Sequence, residues 1–342
     1  MRNFISGDFY IGCMGNSDIR DFASLEEIDY SEVSGETIAV DGNNWLYKYM
    51  TIFSRYNQPR LFKTDDGVKL PNLLGIPVGM KKFYKYNITP VFVFDGGVHE
   101  EKQDEIDERR ESKRDAEKQQ REASDSVEAA KYRARSQRIT EEILQTTFEL
   151  LKLYQMSFTV APKSAEKQAS YMCRESSVIT KVLSDDYDAL LFKSPYTLRQ
   201  FTNSESFVEI MDYQETLSEL ELTHNQLLAS AFLMGTDFND GVHGIGPKTS
   251  IKKVADKSRG ELEELLYEEG LSEETVYMLY DIFKLNTHVS GTFPEPKQLQ
   301  EPRTDDILEY IESRITLTDR TESAVKYVYS VHDFGQSSIM DY

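Results

Sequence analysis

The 342-residue sequence predicts an α/β fold built on a mostly parallel central sheet, and three observations carry that reading. Short β-rich apolar runs recur at residues 37–41 (T-I-A-V-D), 90–95 (P-V-F-V-F-D), 157–161 (S-F-T-V-A) and 177–188 (S-V-I-T-K-V-L-S-D-D-Y-D). They are continuous rather than alternating, as strands covered on both faces are. Longer segments with helical spacing separate them, the pattern of parallel strands joined by crossover helices. Three of the runs end on acids, which places Asp41, Asp95, Asp186 and Asp188 at the carboxyl edge of the sheet. Open α/β sheets bind their ligands at that edge.

A chain of this length holds one large domain or two, with a sizeable core. No apolar run approaches the roughly 20 residues of a membrane span, and the opening residues carry no signal-type apolar block. The sequence therefore reads as cytoplasmic, with no membrane partner. Cys13 and Cys173 have neither metal-ligand spacing nor a disulfide framework. The net charge of −20 taken alone argues against nucleic acid, because phosphate binding is driven by Lys and Arg. Distribution matters more than the sum. Acids gather in residues 261–270 and at Glu273 and Glu274, whereas residues 109–138 are rich in Arg and Lys.

Taken in order, the run at 37–41 opens the sheet and 90–95 follows it, with Gly96 and Gly97 behind Asp95. Residues 99–154 are almost free of Gly and Pro. The first half of that stretch has too few apolar residues for a core-facing helix, so it stands in solvent, meets a polar partner or forms a linker. Its second half, ending L-L-K-L-Y, has an apolar stripe and should pack on the sheet. The third run leads into A-P-K-S-A-E, which ends on Glu166.

Residues 222–234 form an amphipathic helix through Leu227, Leu228, Ala231, Phe232 and Met234, and Gly235 ends it, leaving Asp237 in a tight Gly-flanked loop. Then comes G-I-G-P-K, where Gly244 and Gly246 let the backbone turn and Pro247 suits the first turn of a new helix through Ile251 and Val254. A Gly-rich loop running into a helix N-terminus presents unpaired N–H groups and the helix dipole to a phosphate. Lys248 adds a cation. A plain turn between two helices also fits the two glycines taken alone. Beyond Lys257 the chain reads as acidic helices interrupted by P-E-P at 294–296, and residues 334–342 form a short tail.

On this drawing Asp41, Asp95, Glu166, Asp186, Asp188 and Asp237 converge on one patch. So many carboxylates cannot all stay ionised together without cations, because like charges raise one another's pKa. Hard, oxygen-liganded Mg2+ or Mn2+ suits them, and zinc does not, since no His/Cys cluster accompanies them. Two such ions about 4 Å apart clamp the attacking and leaving oxygens of a phosphodiester displacement.

The sequence resembles the flap endonuclease family of structure-specific 5′ nucleases, most closely its archaeal members, from Met14 to the C-terminus. The matching motifs are M-G at 14–15, I-A-V-D-G-N-N-W-L-Y, P-V-F-V-F-D-G, S-D-D-Y-D-A-L-L-F and M-G-T-D-F-N-D-G-V-H-G-I-G-P-K. The resemblance implies a PIN-like 5′-nuclease fold with a helical arch and a helix-two-turn-helix DNA-binding motif. It places the six acids on the family's metal positions, occupied by two Mg2+ ions. Tyr47 matches an aromatic that stacks on a base next to the cut, although an ordinary core tyrosine fits the same position. Lys102 and Arg109 match two cations presented to the scissile phosphate; a spacing of about two helical turns puts both on one face of the arch. The segment with Gly235, Gly244, Gly246 and Lys248 looks like the helix-two-turn-helix that grips duplex phosphates and often holds K+.

By this resemblance the chain divides into an extension (1–13), a nuclease core (14–240, arch about 99–138), a helical DNA-binding region (241–333) and a tail (334–342). The expected activity is Mg2+-dependent hydrolysis of 5′ flaps at single-strand/duplex junctions in replication and repair, by a monomer, with 5′–3′ exonuclease activity alongside. Three departures from the family stand out. Ser164 occupies the place of the first glutamate of an E-x-E pair. Met1 to Cys13 precede the M-G with which family members begin, so either Met14 is the start or the extension must be accommodated. The sliding-clamp (PCNA) motif is reduced to Gln336, Ile339 and Tyr342, with one aromatic in place of two, so clamp binding should be weak, and a frayed terminus fits as well. Ser164 keeps open a second reading: a catalytically weakened relative that binds flaps and partners without efficient cleavage.

Overall fold

The computed structural model describes residues 19–54, 61–96, 139–201 and 206–331. Seven strands form one sheet: β1 (Ser24–Asp29), β2 (Thr37–Asp41), β3 (Thr89–Phe94), β4 (Ser157–Val160), β5 (Ile179–Leu183), β6 (Tyr196–Arg199) and β7 (Phe207–Asp212). Their order is β1-β7-β6-β5-β2-β3-β4. From β6 to β4 every pairing is parallel, whereas β7 runs antiparallel to both β6 and β1. The sheet is mostly parallel, as the continuous apolar runs predict. The three strands that the sequence reading did not identify are β1, β6 and β7. Two of these make the antiparallel edge, where β1 reads S-L-E-E-I-D with its acids exposed.

The fourth sequence run needs a correction. Its strand stops at Leu183, and the acids follow in a loop that ends in a short helix, Asp188–Leu191. Ser184 makes the last bond to β6, its N–H donating to Leu198 O at 3.2 Å, and its hydroxyl then caps the loop, accepting the Asp186 N–H at 3.1 Å.

Helices among the described residues are α1 (Gly42–Ser54), α2 (Asn72–Lys85), α3 (Glu141–Leu153), α4 (Ala165–Glu175), α5 (Asp188–Leu191), α6 (Tyr213–Leu220), α7 (His224–Met234), α8 (Pro247–Val254), α9 (Arg259–Glu268), α10 (Glu273–Phe283), α11 (Thr304–Glu312) and α12 (Asp319–Val331). Side-chain caps set several of their starts. Thr140 caps α3, Asp212 caps α6, and Thr223 forms a capping box with Gln226 on α7. Each such cap contributes about 0.5–2 kcal/mol. The apolar stripe predicted for the second half of residues 99–154 is α3, which buries Ile143, Thr147, Leu150 and Leu151.

One face of the sheet carries the main core, in which Trp45, Phe83, Phe92 and Phe94 meet residues of α2, α3, α11 and α12. A second cluster surrounds α7, which buries nearly every side chain it has against α5, α9 and α10. A smaller one lies between the sheet and α4. Burying a side chain of this size stabilises the fold by about 1.5–3 kcal/mol. Both faces of the parallel strands are thus covered, and their carboxyl edge is left as the place where polar groups gather.

Between α10 and α11, residues 284–303 have turns but no helix or strand. Side chains fasten this strap to the core: Ser157 Oγ donates to Glu295 O at 3.3 Å, Gln155 Nε2 to Glu301 O at 2.6 Å, and Tyr84 OH to Gln300 O at 3.1 Å. It runs beside β4, which is a sheet edge and would otherwise present unpaired backbone groups.

Gly96 fixes how closely the loops leaving β3 and β4 approach. A Cβ there would stand 1.6 Å from the Ala161 carbonyl oxygen, while its own N–H donates to Lys163 O at 2.9 Å. Gly96→Ala should therefore force the two loops apart and cost at least the ~1–3 kcal/mol of an overpacked site. Urea denaturation of the two proteins measures it; an unchanged midpoint would show that the loops are not held at this distance.

Candidate metal centre

Each acid reaches the carboxyl edge from a different element. Asp41 is the last residue of β2, and its Oδ1 accepts the Asn44 N–H at 3.0 Å from the first turn of α1. Asp95 follows β3; its N–H donates to Asn43 Oδ1 at 3.1 Å, and its Oδ1 accepts the Ala165 N–H at 2.7 Å. That amide belongs to the start of α4, where unpaired N–H groups and the dipole favour a carboxylate. Glu166 comes next on α4, is buried, and accepts the Ser184 hydroxyl at 3.1 Å. Asp186 accepts the Asp188 N–H at 3.1 Å, and Asp188, buried, begins α5.

Asp237 is presented by a turn locked from within. Thr236 and Asn239 exchange backbone hydrogen bonds, and Asn239 Nδ2 donates to Phe232 O at 2.8 Å. Gly235 leaves α7 with φ of 103° and Gly241 closes the loop at 69°, both in the region that favours glycine.

These carboxylates feel one another. Burial pushes Asp41 up to about 7, with Asp95 and Asp186 adding repulsion. Burial and then Asp237 raise Asp186 to about 7. Glu166 is pushed well above the ordinary carboxylate range by burial, Asp186, Asp188 and Asp41. Asp95 is also raised, by the protein packed round its carboxyl, although the residue itself reaches solvent at the rim.

Among the described residues no three or more Asp, Glu, His or Cys side chains are gathered closely enough to hold an ion as they stand. Burial and mutual repulsion nevertheless raise Asp41, Glu166 and Asp186 together, and a bound cation would relieve that repulsion. The donor set is made wholly of carboxylates, which fits a hard divalent cation and not zinc.

Ser164 is the N-cap of α4, its hydroxyl accepting the Lys167 N–H at 3.3 Å. Asp185 lies beyond the end of β5 and is held away from the other acids by its own partners. It pairs with Lys48 of α1 and accepts the Gln200 N–H at 2.8 Å. Burial alone would raise its carboxyl; Lys48, with Arg199 and that N–H, holds it below the ordinary range. Arg199 is 1% exposed, donates to Asp185 O and Glu209, and lies 3.5 Å over the Tyr187 ring. Lys48, Arg199, Asn43 and Ser184 thus shape the edge without having been singled out in the sequence. A charged residue closing the apolar run Y-T-L-R is the one signal that marks Arg199.

Tyr47 is half-exposed on α1 and stands outside the core that takes its neighbours Trp45, Leu46, Tyr49 and Met50. Gly246 caps α8 with an extended backbone, Pro247 opens that helix, Gly244 has φ of 85°, and Lys248 is exposed beside them. Met14, Lys102, Arg109, Gln336, Ile339 and Tyr342 lie outside the described residues. No helix among the described residues is long and apolar enough to cross a membrane.

The acid-lined edge of a parallel sheet, with a Gly-rich helix start beside it, is accompanied by two matching family models. Residues 16–116 match the XPG N-terminal domain and residues 155–237 the XPG I-region. This defines the class as nucleases of the XPG type. A flap endonuclease-1 structure from Methanococcus jannaschii superposes with a TM-score of 0.68 and 26% identity, covering 91% of this chain and 97% of that one. The catalytic core of Rad2 in complex with a DNA substrate shares the fold, with a TM-score of 0.64, 20% identity and coverage of 90% and 96%. Flap endonuclease 1 of Halobacterium salinarum is 44% identical over 260 residues, 75% of this chain and 79% of the relative. The chain belongs to the flap endonuclease family.

The raised carboxyls make stability depend on pH. Asp41 and Asp186 hold protons more tightly folded, near 7, than at the ordinary 3.8. Their contribution to stability is full below the lower value and is lost as pH rises through the higher one. Without divalent ions, Asp186→Asn should therefore stabilise the protein at pH 8, by on the order of 1–3 kcal/mol, and much less at pH 4. Thermal melts at the two pH values in chelator measure it. A variant no more stable at pH 8 would mean that these carboxylates do not repel.

Proposed function

We propose that Asp41, Asp95, Glu166, Asp186, Asp188 and Asp237 hold two Mg2+ ions, with Mn2+ able to replace them, and that DNA hydrolysis takes place at this edge. The chain is a structure-specific 5′ flap endonuclease that hydrolyses phosphodiester bonds in replication and repair. The observation that carries the residue assignment is the mutual repulsion of Asp41, Glu166 and Asp186 on a shared edge. Bound ions supply positive charge to the attacking and leaving oxygens of the displacement. The Asn44 and Ala165 amides and the Ser184 hydroxyl donate to the carboxylates of Asp41, Asp95 and Glu166, and Asn43 Oδ1 accepts the Asp95 N–H.

The remaining roles follow from the family's motifs. Lys102 and Arg109 give their charge to the scissile phosphate as it becomes more negative. Tyr47, half-exposed one and a half turns of helix from Asp41, stacks on the base beside the cut. The N-terminus of α8, with Gly244, Gly246 and Lys248, takes a duplex phosphate, and K+ binds in the turn before it. DNA with a 5′ flap or junction is the substrate, the chain acts as a monomer, and Gln336, Ile339 and Tyr342 give a weak hold on a sliding clamp. The reading as a flap-binding relative that scarcely cuts is not favoured by the family match.

A labelled 5′ flap, a nicked duplex and a single strand, each with Mg2+ or chelator, test the proposal. The flap should be cut fastest, and only with the ion. Lys102→Ala and Arg109→Ala should lower the single-turnover rate by about 10²–10³-fold with little change in duplex affinity. Tight binding of flaps without cleavage at any Mg2+ concentration would favour the non-catalytic reading instead.

Ser164 separates two effects. A serine hydroxyl is neutral and a poor ligand, so the ions lose one carboxylate, although Mg2+ usually keeps several waters. Ser164→Glu should move the Mg2+ titration to lower concentration, by about 10-fold. It should also lower the melting temperature slightly through loss of the α4 cap. An unchanged Mg2+ titration would place residue 164 outside the metal centre, leaving capping as its role.

A further inference from the structure

We propose that Lys167 is a positioning residue, aided by Gln168, that sets the separation of Glu166 and Asp237 across the acid cluster by gripping the end of α10. The proposal rests on the metal assignment above. Glu166, Lys167 and Gln168 are consecutive in the first turn of α4. While Glu166 accepts from Ser184, the Lys167 side chain leads to the C-terminal region, where Nζ donates to Ile282 O at 2.8 Å and Thr287 Oγ1 at 3.2 Å. Ile282 stands one residue before the end of α10, where helix carbonyls lack partners and the dipole is negative. Gln168 clamps the strap just beyond: its Nε2 donates to Ser290 O at 3.0 Å, and its Oε1 accepts the Ser290 N–H at 2.6 Å.

The next residue of α10, Phe283, carries the contact onward. Its ring lies 5.8 Å from that of Phe238, edge to face, and 5.8 Å from that of Phe232. Phe238 adjoins Asp237, and Phe232 O holds the Asn239 side chain of the same turn. A continuous chain of contacts results. Glu166 adjoins Lys167, which grips Ile282; Ile282 adjoins Phe283, which packs on Phe238; Phe238 adjoins Asp237.

Two features separate this from ordinary packing. Lys167 is 4% exposed and Gln168 1%. An ammonium buried against a carbonyl and a hydroxyl, rather than a carboxylate, is a costly way to fill that space compared with an apolar side chain. What the ammonium adds is direction, since it reaches two acceptors at once. The segment it holds also contains Asn286 and His288 at φ of 62° and 56°. Left-handed backbone in residues other than glycine persists where the surroundings over-determine it.

The experiment compares Lys167→Met, Lys167→Arg and Gln168→Leu with the unaltered chain. Lys82→Met serves as a destabilised control, because Lys82 is likewise buried and donates to a carbonyl, Phe201 O at 2.8 Å, on the other side of the sheet. Calorimetric Mn2+ affinity is the first readout. Single-turnover flap cleavage against Mg2+, with KM for DNA, is the second. Lys167→Met should weaken Mn2+ binding and raise the Mg2+ needed by about 10–100-fold, with KM nearly unchanged. Lys167→Arg should recover most of the loss, and Gln168→Leu should show a smaller shift in the same direction. Lys82→Met should lower the melting temperature without altering Mn2+ affinity.

Unaltered Mn2+ affinity in Lys167→Met, or an equal shift in Lys82→Met, overturns the proposal. Should Lys167→Met not fold, unaltered affinity in folded Gln168→Leu overturns it as well. An unaltered chain that binds Mn2+ but cuts no flap would count against the function, leaving the positioning role to be judged on Mn2+ binding alone.

Discussion

Repulsion among carboxylates held on one sheet edge is the constraint on which the rest of this structure depends. Left to itself it would turn Asp41, Glu166 and Asp186 outward or keep them protonated. What opposes it is a frame of neutral donors: backbone N–H groups at the starts of α1 and α4, and the Ser184 hydroxyl. None of these donors carries a charge, so they fix orientation without cancelling the negative potential that a divalent cation requires. The charged side chains Lys48 and Arg199 pair with Asp185 and Glu209, and Arg199 also partly offsets the rise of the Asp186 carboxyl. They brace the loop carrying Asp186 and Asp188 from behind. The arrangement separates the work of bracing from the work of attracting ions.

The same separation reconciles an acidic protein with a polyanionic substrate. The net charge is −20, yet DNA responds to local charge rather than to the total. Divalent ions held at the edge, as proposed above, would offset much of the carboxylates' charge and present local positive charge to a phosphate oxygen. On the function proposed above, the α8 N-terminus and Lys248 would take a second phosphate. The acids of α9 and α10 lie on helices that bury only one stripe each, leaving their carboxylates on the solvent side. The long strap of 284–303 joins this acidic region to the core through side-chain contacts rather than regular structure. A connection this long without secondary structure is uncommon in compact domains unless it serves a function.

The sequence by itself determined the parallel half of the sheet and the acids at its edge. The reason is local: continuous apolar runs ending in Asp, and the Gly-Pro start of α8, are written within a few residues each. It also gave the stripe of α3 and the helix break at Gly235, because helical periodicity and a positive φ leave direct marks in sequence. The antiparallel edge was not legible. β1 and β7, like the neighbouring β6, are four to six residues long and mix charge with apolar positions, and β1 meets β7 across more than half the chain, Ser24 opposite Asp212. Nor could the sequence show that Ser164 caps a helix, that Asp185 is taken by Lys48, or that Lys167 reaches Ile282. A lysine or an aspartate reads alike whether it is solvated or buried against a partner more than a hundred positions away. Only the tertiary structure, by bringing distant backbone carbonyls and side chains within hydrogen-bond reach, decided which charges gather at the sheet edge and which are paired behind it.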